Sequence, residues 1–207
     1  MLKFYSYHGV PGWSDFYVQF EEIFAELPSN ADILELGCGF GRGTWTMLEF
    51  MRPSMSLYVL DFFEMTTYIL WDDFLKSGSE LTLTDEEILA FEEMLLVKNH
   101  QEVFRYNIMQ HPRSPQLKDI YAMTSQTYMS ENKRNNYDLV FIDGTHTYDV
   151  LSTELEFFKD CTLLTGHDYD NPDHPDVRAA VQDFMTKHKD RSLQIYEDQE
   201  IFVIRKT

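Results

Sequence analysis

Three short runs hold most of the side chains that could do chemistry: Glu35-Leu36-Gly37-Cys38-Gly39-Phe40-Gly41, Asp143-Gly144-Thr145-His146, and Gly166-His167-Asp168-Tyr169-Asp170. In the first, the glycines allow a sharp backbone turn and leave room for a ligand where a Cβ would stand, and a following helix would present free N–H groups. Glu35, two residues ahead of Gly37, can meet the cationic end of such a ligand. In the other two runs, carboxylates and imidazoles can remove a proton from a hydroxyl or hold a divalent cation that acidifies it. His146, with a reference pKa near ~6.5, suits the base role, and helix capping or cofactor contact is its alternative. Asp168 can orient the adjacent His167 or share a metal with it. His8, His100, His111, His174 and His188 have no comparable neighbours in sequence.

Positioning these runs requires strands that end where each begins. Ala31 to Leu36 reads as a buried strand and Thr44 to Met51 as a helix stopped by Pro53. Met55 to Leu60 reads as a second strand ending at Asp61, which completes a βαβ unit and implies a parallel sheet. Leu117 to Met123, Tyr137 to Ile142 and Cys161 to Thr165 supply three more strands. A helix carrying Tyr148, Leu151, Leu155 and Phe158 joins the last two. Asp143 and the His167-Asp168 pair therefore fall at strand carboxyl ends, where open α/β sheets place their ligand crevice. Ser14 can cap an amino-terminal helix bearing Phe16, Phe20, Ile23, Phe24 and Leu27, and His174-Pro175 opens a last helix. Leu193 to Tyr196 and Ile201 to Ile204 can close the sheet as a hairpin.

Between Met65 and His111 the alternation is interrupted by helical material, including the capping box Thr84-Asp85-Glu86-Glu87. Its aromatics Tyr68, Trp71, Phe74 and Phe91 suit a core or subunit interface, or a lid over the crevice. The expected fold is thus an α/β, Rossmann-like three-layer sandwich with a mostly parallel sheet, an antiparallel last strand and a helical insertion after the second strand. The whole of 1–207 is expected to form one domain.

A formal charge of −18, from 17 Lys and Arg against 35 Asp and Glu, would repel a phosphate backbone and disfavours nucleic acid as substrate. No apolar run approaches the roughly 18 residues of a membrane span, and Met1 to Val10 lacks the apolar block of a secretory signal. With two cysteines, Cys38 and Cys161, no disulfide framework is read. A cytoplasmic protein without a membrane partner is expected, and a homo-oligomer stays open.

The glycine run differs from the dinucleotide-binding G-x-G-x-x-G, since its third glycine comes one residue early. With Glu35 ahead and Asp61 ending the next strand, it resembles motif I of the class I S-adenosylmethionine-dependent methyltransferases. Ile142-Asp143-Gly144-Thr145-His146-Thr147-Tyr148 and Gly166-His167-Asp168-Tyr169, with Gly12-Trp13-Ser14, resemble a subgroup marked by I-D-G-x-H-x-Y and G-H-D-Y. That subgroup includes small-molecule and sugar O-methyltransferases and cephalosporin-hydroxylase-like proteins, some dependent on a divalent metal. The resemblance covers most of the chain, the insertion excepted.

It implies S-adenosylmethionine as cofactor, held by Glu35, Gly37, Cys38, Gly39 and Gly41 at the methionine and ribose portion, Asp61 at the ribose and Phe62 on one adenine face. Thr124 and Ser125 would lie at the adenine edge, with Asp143 nearby; Phe62 could instead be core, and Thr124 and Ser125 helix caps. Asp143, His146, His167 and Asp168 are the catalytic candidates, and Asp143, His167 and Asp168 the ligands of a divalent ion, Mg2+ or Mn2+. The implied reaction is methyl transfer to a small-molecule or sugar hydroxyl. Amino-group methylation of a base is disfavoured, because Asp170-Asn171-Pro172-Asp173 lacks the second proline and the aromatic of that motif. A non-catalytic cofactor-binding scaffold, or a hydroxylase-like or lyase enzyme on the same fold, are the alternatives.

Overall fold

The structure is a computed structural model that describes residues 6–12, 16–77, 81–131 and 133–207. Ser14 and Trp13 lie outside the described residues, and with them the expected cap and part of the Gly12-Trp13-Ser14 resemblance.

Seven strands form one sheet: β1 (Asp32–Leu36), β2 (Ser56–Asp61), β3 (Leu117–Ala122), β4 (Leu139–Ile142), β5 (Leu163–Gly166), β6 (Arg191–Tyr196) and β7 (Ile201–Lys206), in the order β3-β2-β1-β4-β5-β7-β6. The β1–β2, β1–β4, β2–β3 and β4–β5 pairs are parallel, whereas β7 runs antiparallel to both β5 and β6. The expected mostly parallel sheet with an antiparallel last strand is what forms. β1 sits at its centre, and the chain crosses from one flank of β1 to the other between β3 and β4. That reversal of strand order opens a crevice at the carboxyl ends of β1 and β4.

Strand alternation builds the three layers, because successive side chains point to opposite faces. Ile33, Leu139 and Phe141 join one core with α1 (Tyr17–Glu26), α2 (Arg42–Phe50) and the inserted helices α3 (Thr67–Ser77), α4 (Asp85–Leu95) and α5 (His100–Ile108). Leu34, Val140 and Ile142 join the other with α6 (Ser125–Ser130), α7 (Tyr148–Phe157) and α8 (Pro175–Lys187). Among the described residues no helix is long and apolar enough to cross a membrane.

The insertion behaves mainly as core. Trp71, Phe74 and Phe91 are buried, and the indole N–H of Trp71 donates to Glu92 at 3.1 Å, while Tyr68 stays exposed. Thr84 forms the expected capping box with Glu87, and Asn99 forms a second one with Glu102 at the start of α5. Several element starts differ from the sequence expectation by one or two residues, and two of them have a clear local cause. α2 begins at Arg42 rather than Thr44, because the left-handed Gly41 (φ +103°) feeds the chain directly into the helix. β5 begins at Leu163 rather than Cys161, because the Cys161 N–H still closes the turn after α7 by donating to the Phe158 carbonyl at 2.9 Å.

Candidate active site

The residues after β1, β2, β3, β4 and β5 line one cavity of about 870 Å3. That is ample for a nucleoside-sized ligand with room beside it. All the sequence-predicted residues except Gly41 are on its wall: Glu35, Gly37, Cys38, Gly39, Asp61, Phe62, Thr124, Ser125, Asp143, His146, His167 and Asp168. Gly41 stands one step back, as the residue that caps α2.

The glycine loop is held from three sides. Asp61 Oδ2 accepts from the N–H of Cys38 at 2.8 Å and from that of Gly39 at 3.3 Å, so the end of β2 pins the loop at the end of β1. His100 Nε2 lies 2.8 Å from the Gly39 carbonyl, and Asn107 Nδ2 donates to the Phe40 carbonyl at 2.8 Å, both from α5. At Gly37 (φ +80°) a Cβ would stand 2.4 Å from the backbone oxygen of Asp143. This glycine is thus required by the close approach of the β4 end to the loop, before any ligand is considered.

Glu35 lies under the loop, almost fully buried, and accepts a hydrogen bond from the Thr44 hydroxyl. Burial, with smaller contributions from the nearby Asp143 and Asp61 carboxylates, pushes its carboxyl up to about 8 against the opposing Thr44 bond. A cation arriving there would favour the ionised form. Phe62 is 48% exposed and presents an unburied ring to the cavity, as an aromatic facing a ligand would. Thr124 does cap α6, its hydroxyl accepting from the Thr127 N–H at 3.1 Å, and it lines the cavity as well.

The segments that follow β4 and β5 gather the carboxylates and imidazoles. His146 Nε2 lies 3.0 Å from Asp168 Oδ2 and 3.8 Å from Asp143 Oδ1. His167 Nδ1 lies 3.1 Å from Asp168 Oδ2 and 3.6 Å from Asp143 Oδ1. Asp168 is at the centre. Its backbone takes the left-handed conformation (φ +62°), and Asn171 Nδ2 donates to its Oδ1 at 2.6 Å. A non-glycine residue in that region is held by its surroundings, and such positions gather at functional sites. Burial acts to raise the Asp168 carboxyl, but the hydrogen bond and charge of His167, with the charge of His146, outweigh it and hold it down at about 2. Burial acts against a proton on His167, yet Asp143 and Asp168 push it up to about 10. The same balance raises His146 and lowers Asp143.

Four residues enter the cavity without a signal that singled them out in sequence. His174, just ahead of α8, packs its ring against His146 at 4.4 Å and offers a ring nitrogen near Asp168. His100 and Asn171 were unmarked because their partners are 61 and 3 residues away across loops of no motif. Glu154 alone carried a signal that could have found it: it shares the buried face of α7 with Leu151 and Leu155, where an acidic residue needs a reason.

A family model described as a methyltransferase domain matches residues 34–169, and the chain belongs to that family. No curated protein sequence matches it. Among solved structures it is similar to the O-methyltransferase from Bacillus cereus in complex with SAH, at 13% identity and a TM-score of 0.58, covering 95% of this chain and 84% of that one. It is similar to TomG from Streptomyces achromogenes, an O-methyltransferase of tomaymycin synthesis bound to SAM, at 12% identity and TM-score 0.56, covering 95% and 83%. CalS11, a TDP-rhamnose 3'-O-methyltransferase of calicheamicin biosynthesis, gives 14% identity and TM-score 0.55, covering 91% and 76%. These likenesses establish the fold.

The loop contacts lead to one prediction. Asp61→Ala removes the acceptor for two loop N–H groups, those of Cys38 and Gly39. S-adenosylhomocysteine should bind weaker by about 1.5 to 3 kcal/mol, the range for hydrogen bonds to a charged group. Calorimetric titration giving an unchanged affinity would place Asp61 outside the ligand site.

Proposed function

We propose that this chain is an S-adenosylmethionine-dependent methyltransferase whose acceptor is the hydroxyl of a small molecule or sugar, with residues 1–207 acting as one cofactor-binding domain. The observation that carries this reading is one cavity lined both by a pinned glycine loop and by the Asp143–His146–His167–Asp168 cluster. Glu35 would meet the ammonium of the methionine portion, the loop around Gly37, Cys38, Gly39 and Gly41 its backbone, and Asp61 the ribose. Phe62, Thr124 and Ser125 would border the adenine, with Asp143 between cofactor and acceptor.

Transfer to oxygen needs a lone pair in line with the sulfonium methyl and removal of the hydroxyl proton. His146 would take that proton, its imidazolium then stabilised by Asp168 and Asp143. Asp168, fixed by Asn171, would orient His146 and His167 together. The residues also fit a divalent ion: one ligand atom each from Asp143, His167 and Asp168 lie within 4.8 Å of one another. Asp143, His167 and Asp168 would hold it, and a mixed nitrogen and oxygen set suits Mn2+ better than Mg2+. Such an ion lowers the pKa of a coordinated hydroxyl.

The oxygen acceptor is supported by the similarity to O-methyltransferases. Small molecules and sugars are favoured over nucleic acid by the charge of −18. The test is incubation with S-adenosylmethionine and a panel of phenols, diols and nucleotide sugars, with and without Mn2+, following S-adenosylhomocysteine and the methylated product. Acceptor-dependent formation of both supports the reading. Acceptor-independent breakdown of the cofactor, or methylation of amines alone, contradicts it. Chelation that abolishes turnover, with rescue by added metal, would assign the cluster to an ion.

A further inference from the structure

Methyl transfer as described gives no task to Glu154. It is 2% exposed, on the face of α7 turned to the sheet, and its Oε2 is buried with no hydrogen bond to it. An acceptor in that state costs free energy unless something donates to it. Burial pushes the carboxyl up to about 7, opposed by a hydrogen bond with Ser125 and the charge of His146. The side chain also lines the cavity, on the same stretch of wall as Met123, Thr124, Ser125 and Gln126.

That stretch follows β3, the strand beside β2 on the side away from β1. With the ribose at Asp61, the end of β2, the base lies toward Thr124, Ser125 and Glu154. Of the ring edges of adenine, the one bearing the exocyclic amine donates hydrogen bonds, and the ring nitrogens only accept. A carboxylate oxygen lacking a donor is complementary to that amine and to no other atom of the base.

We propose that Glu154 is a specificity-determining residue that accepts a hydrogen bond from the exocyclic amino group of the cofactor's adenine and so selects adenine over a 6-oxo purine. This rests on the S-adenosylmethionine reading and adds the base-recognising residue to it. A 6-oxo base would set its carbonyl against the carboxylate, leaving two buried acceptors facing each other. Sites built to pair one polar group reject analogues that leave it unpaired far more strongly than apolar pockets reject a change of size.

The test is calorimetric titration, at about pH 8 where the carboxylate dominates, with S-adenosylhomocysteine and with S-inosylhomocysteine, in which the amine is replaced by oxygen. Wild-type protein should prefer the adenine compound by at least about tenfold. Glu154→Gln should narrow the preference to within about threefold, since a carboxamide can rotate to offer either its oxygen or its amine. Equal binding of both compounds by the wild type overturns the assignment and leaves the cofactor reading standing, and it decides the matter even where the variant does not fold. A folded Glu154→Gln that keeps the full preference also overturns it. Binding of neither compound by the wild type overturns the cofactor reading and this assignment with it.

Discussion

Asp168→Ala should lower acceptor methylation by about a hundredfold to ten-thousandfold, the range for loss of positioned acid-base chemistry, while S-adenosylhomocysteine affinity stays within about threefold. The side chain is the shared partner of His146 at 3.0 Å and His167 at 3.1 Å, and Asn171 fixes its other oxygen. Its removal leaves both imidazoles without their common carboxylate, while the contacts of the glycine loop itself are untouched. Because the backbone at 168 is left-handed (φ +62°), alanine also costs about 1 kcal/mol of conformational strain. Asp168→Asn separates the two effects, since asparagine tolerates that conformation while losing the charge and exchanging one accepting oxygen for an amide donor. Steady-state turnover and calorimetry on both variants are the measurements. Normal turnover in Asp168→Asn would confine the residue to holding the loop's shape.

Gly37→Ala should damage folding and cofactor binding together. A methyl group there would stand 2.4 Å from the Asp143 oxygen and 2.6 Å from Gly144 Cα, both backbone atoms at the end of β4. Neither can yield without shifting Asp143 itself, and φ is +80°, so strain adds to the clash. A loss of about 3 kcal/mol is expected. For a chain of this size that lowers Tm by about 6 to 12 °C. S-adenosylhomocysteine should bind at least about tenfold weaker, because the loop and Asp143 must move apart. Thermal unfolding of the unliganded variant separates the two: an unchanged Tm would mean that the β4 end does not constrain this glycine.

The β1–loop–α2–β2 unit was legible because its signals agree. A short apolar run ends in glycines at a spacing few turns need, and an acid stands at the end of the next apolar run. The reason for Gly37 was only half legible, since the need for space came from the backbone of Asp143, 106 positions on, rather than from a ligand. The cluster of Asp143, His146, His167 and Asp168 was legible as two strand-end motifs, because parallel strands deliver their carboxyl ends to one crevice. His174 escaped, as it reaches the cluster through a loop whose path no local pattern encodes. His100 escaped for the same reason: Asn99 and Glu102 announce a helix start, but not that it would sit against Gly39. The insertion's aromatics could be read as core, interface or lid; Trp71, Phe74 and Phe91 pack in the core, while Leu70 and Asp73 of the same insertion line the cavity and Tyr68 is exposed.

The measurement that bears most directly on the central claim is calorimetric titration of the wild-type chain with S-adenosylhomocysteine, paired with thermal unfolding in its presence. Saturable binding is predicted, and ligand at a hundred times its dissociation constant should add about 2.7 kcal/mol of stability. No heat of binding and no shift in Tm at millimolar ligand would contradict it.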